Sequence, residues 1–186
     1  MTGVLLVGGA SRRFGAPKAL ARLDGQTLAE RAWRVLGEVC DERLAVGKER
    51  DGLRLPFPIL DDEAPVRAPI AGVVAGLRGA ANEVCVFLPV DCPCVSTHTL
   101  LRLADAAADA AVSQTGPLPG AYRRRVLPPL EQRVERGEYS LRDALAALDV
   151  TIVELDPGEL VNVNTQAELD AVAAFQAARS LEDTAP

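Results

Sequence analysis

With 186 residues, 48% of them apolar and 25% charged, the chain has the make-up of one ordinary globular domain that can bury a substantial core. A formal net charge of −6 argues against a general nucleic-acid binder, which is normally basic. No apolar run approaches the ~20 residues of a membrane span and the N-terminus has no signal-peptide layout, so a cytoplasmic protein without membrane contact is expected.

In chain order, Val4–Val7 reads as a buried strand that stops at Gly8 and Gly9. The loop that follows, Ala10 to Lys18, carries Ser11, Arg12, Arg13, Gly15 and Lys18. Glycines let backbone N–H groups approach an anion, and the three cations can neutralise a polyphosphate. With Arg22, these basic residues make a positive patch on an acidic protein, which suits a small polyphosphate ligand. The spacing is neither that of a P-loop nor G-x-G-x-x-G.

Thr27-x-x-Glu30 is a capping box opening a helix to about Cys40, with Leu28, Ala32, Val35, Leu36 and Val39 on one face. Arg43–Gly47 and Pro56–Leu60 read as short strands. Pro69–Ala80 reads as a helix whose Gly72, Gly76 and Gly79 imply close approach to a sheet or ligand. Glu83–Val90 is the strongest strand, apolar enough to be covered on both faces, and ends at Asp91. A helix over Ser96–Ala108 and a strand over Ala110–Gln114 follow, then a proline-rich turn over Gly116–Gly120. A helix around Val126–Arg136, a short one opened by Ser140 and running to Leu148, a strand over Thr151–Leu155 and a helix from Thr165 to about Arg179 complete the chain. This alternation predicts a single-domain three-layer α/β/α fold on a mostly parallel sheet, over residues 1–180, with 181–186 as a frayed tail. The four cysteines, Cys40, Cys85, Cys92 and Cys94, form no C-x-x-C pair and His98 is the only histidine. Small buried thiols in a reduced compartment are therefore expected in place of a zinc site.

Gly8-Gly9-x-Ser11-x-Arg13-x-Gly15-x-x-Lys18 resembles the signature loop of the nucleotidyltransferases, and more narrowly that of the molybdenum cofactor guanylyltransferases. Asp91-Cys92-Pro93 resembles the family's D-x-P element, and Ala68-Pro69-Ile70-Ala71-Gly72 its G-P-L-A-G element with Ala68 in place of the first glycine. Leu6-Val7-Gly8-Gly9 is similar to the family's L-A-G-G and favours guanine. Gly137-Glu138-x-Ser140-Leu141-Arg142 and Asn162-Val163-Asn164-Thr165 resemble two C-terminal elements of the same enzymes. Ala121-Tyr122-Arg123-Arg124 resembles a further one, or is packing and surface charge.

The resemblance implies a Rossmann-like nucleotidyltransferase fold and transfer of GMP from GTP to molybdopterin with release of pyrophosphate. It implies Mg²⁺ on Asp91, with Lys18, Arg13 and Asp91 catalytic. The nucleotide site would comprise Leu6, Val7, Gly8, Gly9, Ser11, Arg13, Lys18, Asp91 and one of Asp61 and Asp62, a carboxylate suited to the N–H donors of guanine. Arg142, Asn162 and Asn164 would face the molybdopterin. Transient contact with cofactor-synthesis proteins or apo-molybdoenzymes is implied as well. The alternatives are a relative using CTP or another small phosphate acceptor, and a non-catalytic nucleotide-binding module. In open α/β sheets ligands bind beyond the carboxyl ends of strands, so Lys18 and Asp91 are expected in one crevice.

Overall fold

The computed structural model describes residues 1–8, 14 and 17–182, with side chains through 178. Seven strands form the main sheet: β1 (Thr2–Leu6), β4 (Glu42–Gly47), β5 (Ile59–Asp61), β6 (Val84–Pro89), β7 (Ala110–Ser113), β8 (Gly116–Arg123) and β9 (Val150–Val153). Their order is β5-β4-β1-β6-β8-β7-β9. β1 pairs in parallel with β4 and with β6, β4 with β5, and β7 with β9, so that β8 alone runs against its neighbours. A small hairpin, β2 (Arg22–Leu23) and β3 (Gln26–Thr27), stands apart from it.

Strand alternation divides the core into two halves. On one face Leu5 and Val7, with Val86 and Leu88 of β6, pack against α1 (Leu28–Gly37), α3 (Thr97–Ala106) and α6 (Gln166–Glu182). On the other, Val4, Leu6, Cys85 and Phe87 meet α2 (Pro69–Gly79), α4 (Leu127–Glu135) and α5 (Leu141–Leu145). Successive strand residues point to opposite faces, so the continuous apolar runs of β1 and β6 are those of strands buried on both sides. The result is the expected three-layer architecture. Among the described residues, no helix is long and apolar enough to cross a membrane.

The local signals for the helices hold. The Thr27 hydroxyl accepts from the Glu30 N–H at 3.1 Å while the Glu30 carboxylate accepts from the Thr27 N–H at 2.9 Å, closing the capping box of α1. Thr165 and Glu168 make the same reciprocal pair at the start of α6. That helix extends to Glu182, past the expected Arg179.

The segment Gly116–Gly120, expected as a turn, is instead the first part of β8. Pairing jumps from Val112↔Gly120 to Ser113↔Gly116, so Pro117 and Pro119 fall where the register shifts and their missing N–H groups leave no gap in the ladder. Ala121-Tyr122-Arg123 continues the strand, and the buried Tyr122 hydroxyl donates to the Pro117 carbonyl at 2.8 Å. The β2–β3 hairpin was not expected either. Its turn, Asp24-Gly25, has φ values of 50° and 81° at the two residues, the left-handed pair that an Asp-Gly dipeptide favours.

The glycines of α2 permit close approach to the sheet. A Cβ on Gly76 would lie 2.7 Å from Cε1 of Phe87 and 2.8 Å from Cγ1 of Val4, both side chains fully buried. Gly76→Val should therefore destabilise the protein despite better helix propensity. A net loss of roughly 2 kcal/mol is expected, a fall in melting temperature of about 4–8 °C measured by circular dichroism.

Candidate active site

Parallel pairing brings the carboxyl ends of β1, β4 and β6 to one edge, and the ladder continues beyond them. The Val7 N–H donates to the Val46 carbonyl at 2.9 Å, and the Val90 N–H to the Leu6 carbonyl at 3.0 Å. Beyond these ends lies a cleft of about 380 Å³. Leu6, Val7 and Gly8 line it from the end of β1 and just beyond, as do Val46 to Lys48 from β4 and Pro89 to Asp91 from β6. The start of α2 contributes Ala68, Pro69 and Gly72, and Leu118, Asn162, Asp62, Arg67 and Lys18 complete the lining.

Lys18 opens a short 3₁₀ turn, Lys18–Leu20, anchored by the buried Ala19. Its Nζ lies 3.1 Å from Oδ2 of Asp91 and donates to Oδ1 of Asn164 at 2.7 Å. Two residues 73 positions apart thus meet in one cleft. Asn162 and Asn164 arrive through a backbone tether, because the Val163 N–H donates to the Asp91 carbonyl at 2.8 Å. Asn164 also sits where α6 begins: its N–H donates to Glu168 at 2.6 Å, and such backbone bonds hold the Glu168 carboxyl below its usual range. Helix start and site residue are therefore the same segment.

Only one of the two candidate aspartates belongs to the cleft. Asp62 lines it and pairs with Lys48. Asp61 instead accepts from the N–H groups of Glu49 at 2.5 Å and Glu63 at 2.6 Å, which lower its carboxyl from the ordinary value. Arg142 is not among the lining residues. Leu141 and Ala144 of α5 face the core, which turns Arg142 to solvent near Gly116. Arg22 lies in the β2–β3 hairpin, donates to the Gly25 carbonyl at 2.6 Å and is outside the cleft. Gly9, Ser11, Arg12, Arg13 and Gly15 lie outside the described residues.

Sequence reasoning missed Lys48 and Arg67. Lys48 follows Gly47 directly at the end of a parallel strand, the position that should have drawn notice. Arg67 makes a two-pronged ion pair with Asp51 that holds the loop before α2 against the segment after β4, and the pair keeps the Asp51 carboxyl low.

Cys92 is buried beneath Asp91 and its thiol donates to Oδ1 of Asn162 at 2.8 Å. Burial, then the neighbouring Asp91 charge, pushes that thiol well above its ordinary range. Burial pushes Cys85 up to about 12.

A cleft at the carboxyl edge of a parallel sheet that joins a lysine, a carboxylate and amides beside a glycine-ended strand is suited to a phosphate-bearing nucleotide. The model of the MobA-like NTP transferase domain matches residues 3–152. A relative from Bacillus licheniformis, named "Probable molybdenum cofactor guanylyltransferase", is 32% identical, with 92% of this chain and 96% of that one covered. One of the same name from Rhodopirellula baltica is 33% identical over 91% of this chain and 90% of its own. The chain belongs to the MobA-like NTP transferase family. The crystal structure of molybdopterin-guanine dinucleotide biosynthesis protein A from Archaeoglobus fulgidus superposes with a TM-score of 0.79 at 23% identity, over 95% of this chain and 99% of that one. At that identity the likeness is one of fold.

Burial thus raises the thiols of both Cys85 and Cys92. A folded-state pKa above the unfolded value contributes stability that is present below the unfolded thiol range, about 8.5, and is lost as pH climbs from there toward the folded value. The unfolding midpoint in urea should therefore fall from pH 8 to pH 10. At pH 8 iodoacetamide should leave Cys85 and Cys92 unmodified until the protein unfolds, as read by peptide mass mapping.

Proposed function

We propose that this nucleotidyltransferase moves GMP from GTP onto the terminal phosphate of molybdopterin. The observation that carries the reading is the Lys18–Asp91 pair at 3.1 Å, with Asn164 on the same ammonium and Asp62 in the same cleft. The names borne by relatives at about 30% identity support the same pair of substrates.

In this reaction an oxygen of the acceptor phosphate attacks the α-phosphorus of GTP. One P–O bond forms, the bond bridging to the β-phosphate breaks, and pyrophosphate leaves with that electron pair. The attacking oxygen is already anionic, so the protein supplies no base. Its contribution is alignment and charge neutralisation. Lys18 offsets charge on the phosphates, and the backbone at Gly8 lies open to them at the end of β1. The carboxylate of Asp62 accepts from the guanine edge. Asn162 and Asn164, each both donor and acceptor, take the molybdopterin end.

The donor set at Asp91 fits a magnesium ion. It is one hard carboxylate at a strand end, its side chain 30% exposed, and such an ion keeps most of its coordination for water and phosphate oxygens. Asp91 would hold the ion, which when bound neutralises phosphate charge alongside Lys18.

The test is pyrophosphate release with molybdopterin and Mg²⁺ in the presence of each nucleoside triphosphate. GTP should support turnover and a chelator should abolish it until Mg²⁺ is restored. Turnover with CTP and none with GTP would overturn the reading. Lys18→Ala should lower kcat by roughly 100-fold or more, as expected when a charge-stabilising donor is lost. Near-normal transfer by that variant would remove Lys18 from its role.

A further inference from the structure

Lys48 directly follows β4, on the other side of β1 from Asp91. Its side chain is only 4% exposed and that of its partner Asp62 10%, yet both line the cleft. A lysine buried to this degree requires a carboxylate and hydrogen-bonded neighbours. Here Nζ donates to Oδ1 of Asp62 and, at 2.7 Å, to the carbonyl of Ala64. The same Oδ1 accepts the Ala64 N–H at 3.0 Å. An ammonium has three N–H donors, and two go to Asp62 and Ala64. Asp62 Oδ2 receives no hydrogen bond among the described residues. The pair therefore offers one donor and one acceptor side by side, next to the apolar Leu6, Val46 and Pro69 of the same cleft.

We propose that Lys48 is a specificity residue for the nucleobase, its third N–H donating to the carbonyl oxygen at purine position 6 while Asp62 Oδ2 accepts the adjoining ring N–H. The inference rests on the GTP reading above and deepens it. Guanine presents an acceptor at O6 and then a donor at N1. Adenine presents the reverse, and in the same pose would set its amine against the ammonium and its N1 lone pair against the carboxylate. Mispaired polar groups in a site built to be satisfied reject a substrate more strongly than a missing contact does. The bonds from Lys48 and Ala64 to Oδ1 also fix the carboxylate, so that one oxygen is committed to the protein and the other is left for the base.

The test compares dissociation constants of GTP and 6-thio-GTP, whose sulfur is a poorer acceptor than O6, by titration calorimetry. With the unaltered protein the sulfur should weaken binding roughly tenfold, the loss expected for a hydrogen bond to a charged donor. In Lys48→Met, GTP should bind more weakly and the two nucleotides should fall within about twofold of one another, because the distinguishing donor is gone. Lys48→Gln, which retains an N–H, should keep part of the difference. A Lys48 that serves only to hold Asp62 would lower both affinities and leave the sulfur penalty intact in Lys48→Met; that result overturns the proposal. Equal binding of the two nucleotides by the unaltered protein also overturns it, and that arm needs no folded variant. Preference of the unaltered protein for CTP over GTP would instead reject the GTP reading itself.

Discussion

β1 lies in register with a parallel strand on each side, and the cleft exists because of that arrangement. Parallel neighbours end at the same edge, so Gly8, Lys48 and Asp91 arrive together although they come from three separate parts of the chain. The pairing is specific to the residue: Leu6 faces Val46 on one side and Pro89 on the other. A slip of one position would send every side chain of the moved strand to the opposite face. Asp91 would then turn away from Lys18, and the alternation that buries Phe87 on one face and Leu88 on the other would be lost with it. Core packing and site geometry are therefore enforced by the same register.

Two ion pairs then set the electrostatics of the cleft, and they differ in kind. Lys48–Asp62 is nearly sealed from solvent, and the loss of either partner would leave a buried charge uncompensated. Lys18–Asp91 is more open, 14% and 30% exposed, and joins segments far apart in sequence. It is the more accessible of the two, so rearranging it disturbs less buried charge than rearranging Lys48–Asp62 would. Arg67 is likewise paired, with Asp51, so Lys18, Lys48 and Arg67 each face a carboxylate at the cleft.

Much of this could be read in the sequence because the signals are local. Thr27 with Glu30 and Thr165 with Glu168 mark helix starts by chemistry that acts within one turn, and Val84–Leu88 reveals a covered strand by composition alone. The convergence of Lys18 and Asp91 was inferable from topology, because strand ends in such sheets share an edge. What could not be read depended on partners distant in sequence. The prolines of β8 look like turn residues, and only the register shift opposite Ser113 explains why a strand tolerates them. Asp61 and Asp62 are indistinguishable on paper; the pleat and the loop at Glu49 direct one to backbone amides and the other to Lys48. Arg142 has a motif-like context, but the core positions Leu141 and Ala144 decide which way α5 turns it.

The glycines of α2 connect these two levels. A helix with Gly72, Gly76 and Gly79 forfeits intrinsic propensity, about 1 kcal/mol at each, and would be a poor choice for a surface helix. Against the sheet the same residues let the helix axis come down onto β1 and β6, where any Cβ would meet Leu6, Val4 or Phe87 within 3 Å at Gly72 and Gly76. Burial of Ile70, Val73, Val74 and Leu77 on that close surface outweighs the propensity lost, at roughly 1.5–3 kcal/mol for each large side chain. The close approach also fixes where the helix begins. Pro69 and Ala68 stand at the cleft because Gly72, one turn later, is seated on Leu6, the last residue of β1. A Cβ at position 72 would meet Cδ2 of Leu6 at 2.9 Å, so the seat of this first turn on the end of β1, beside the cleft, draws on a glycine there.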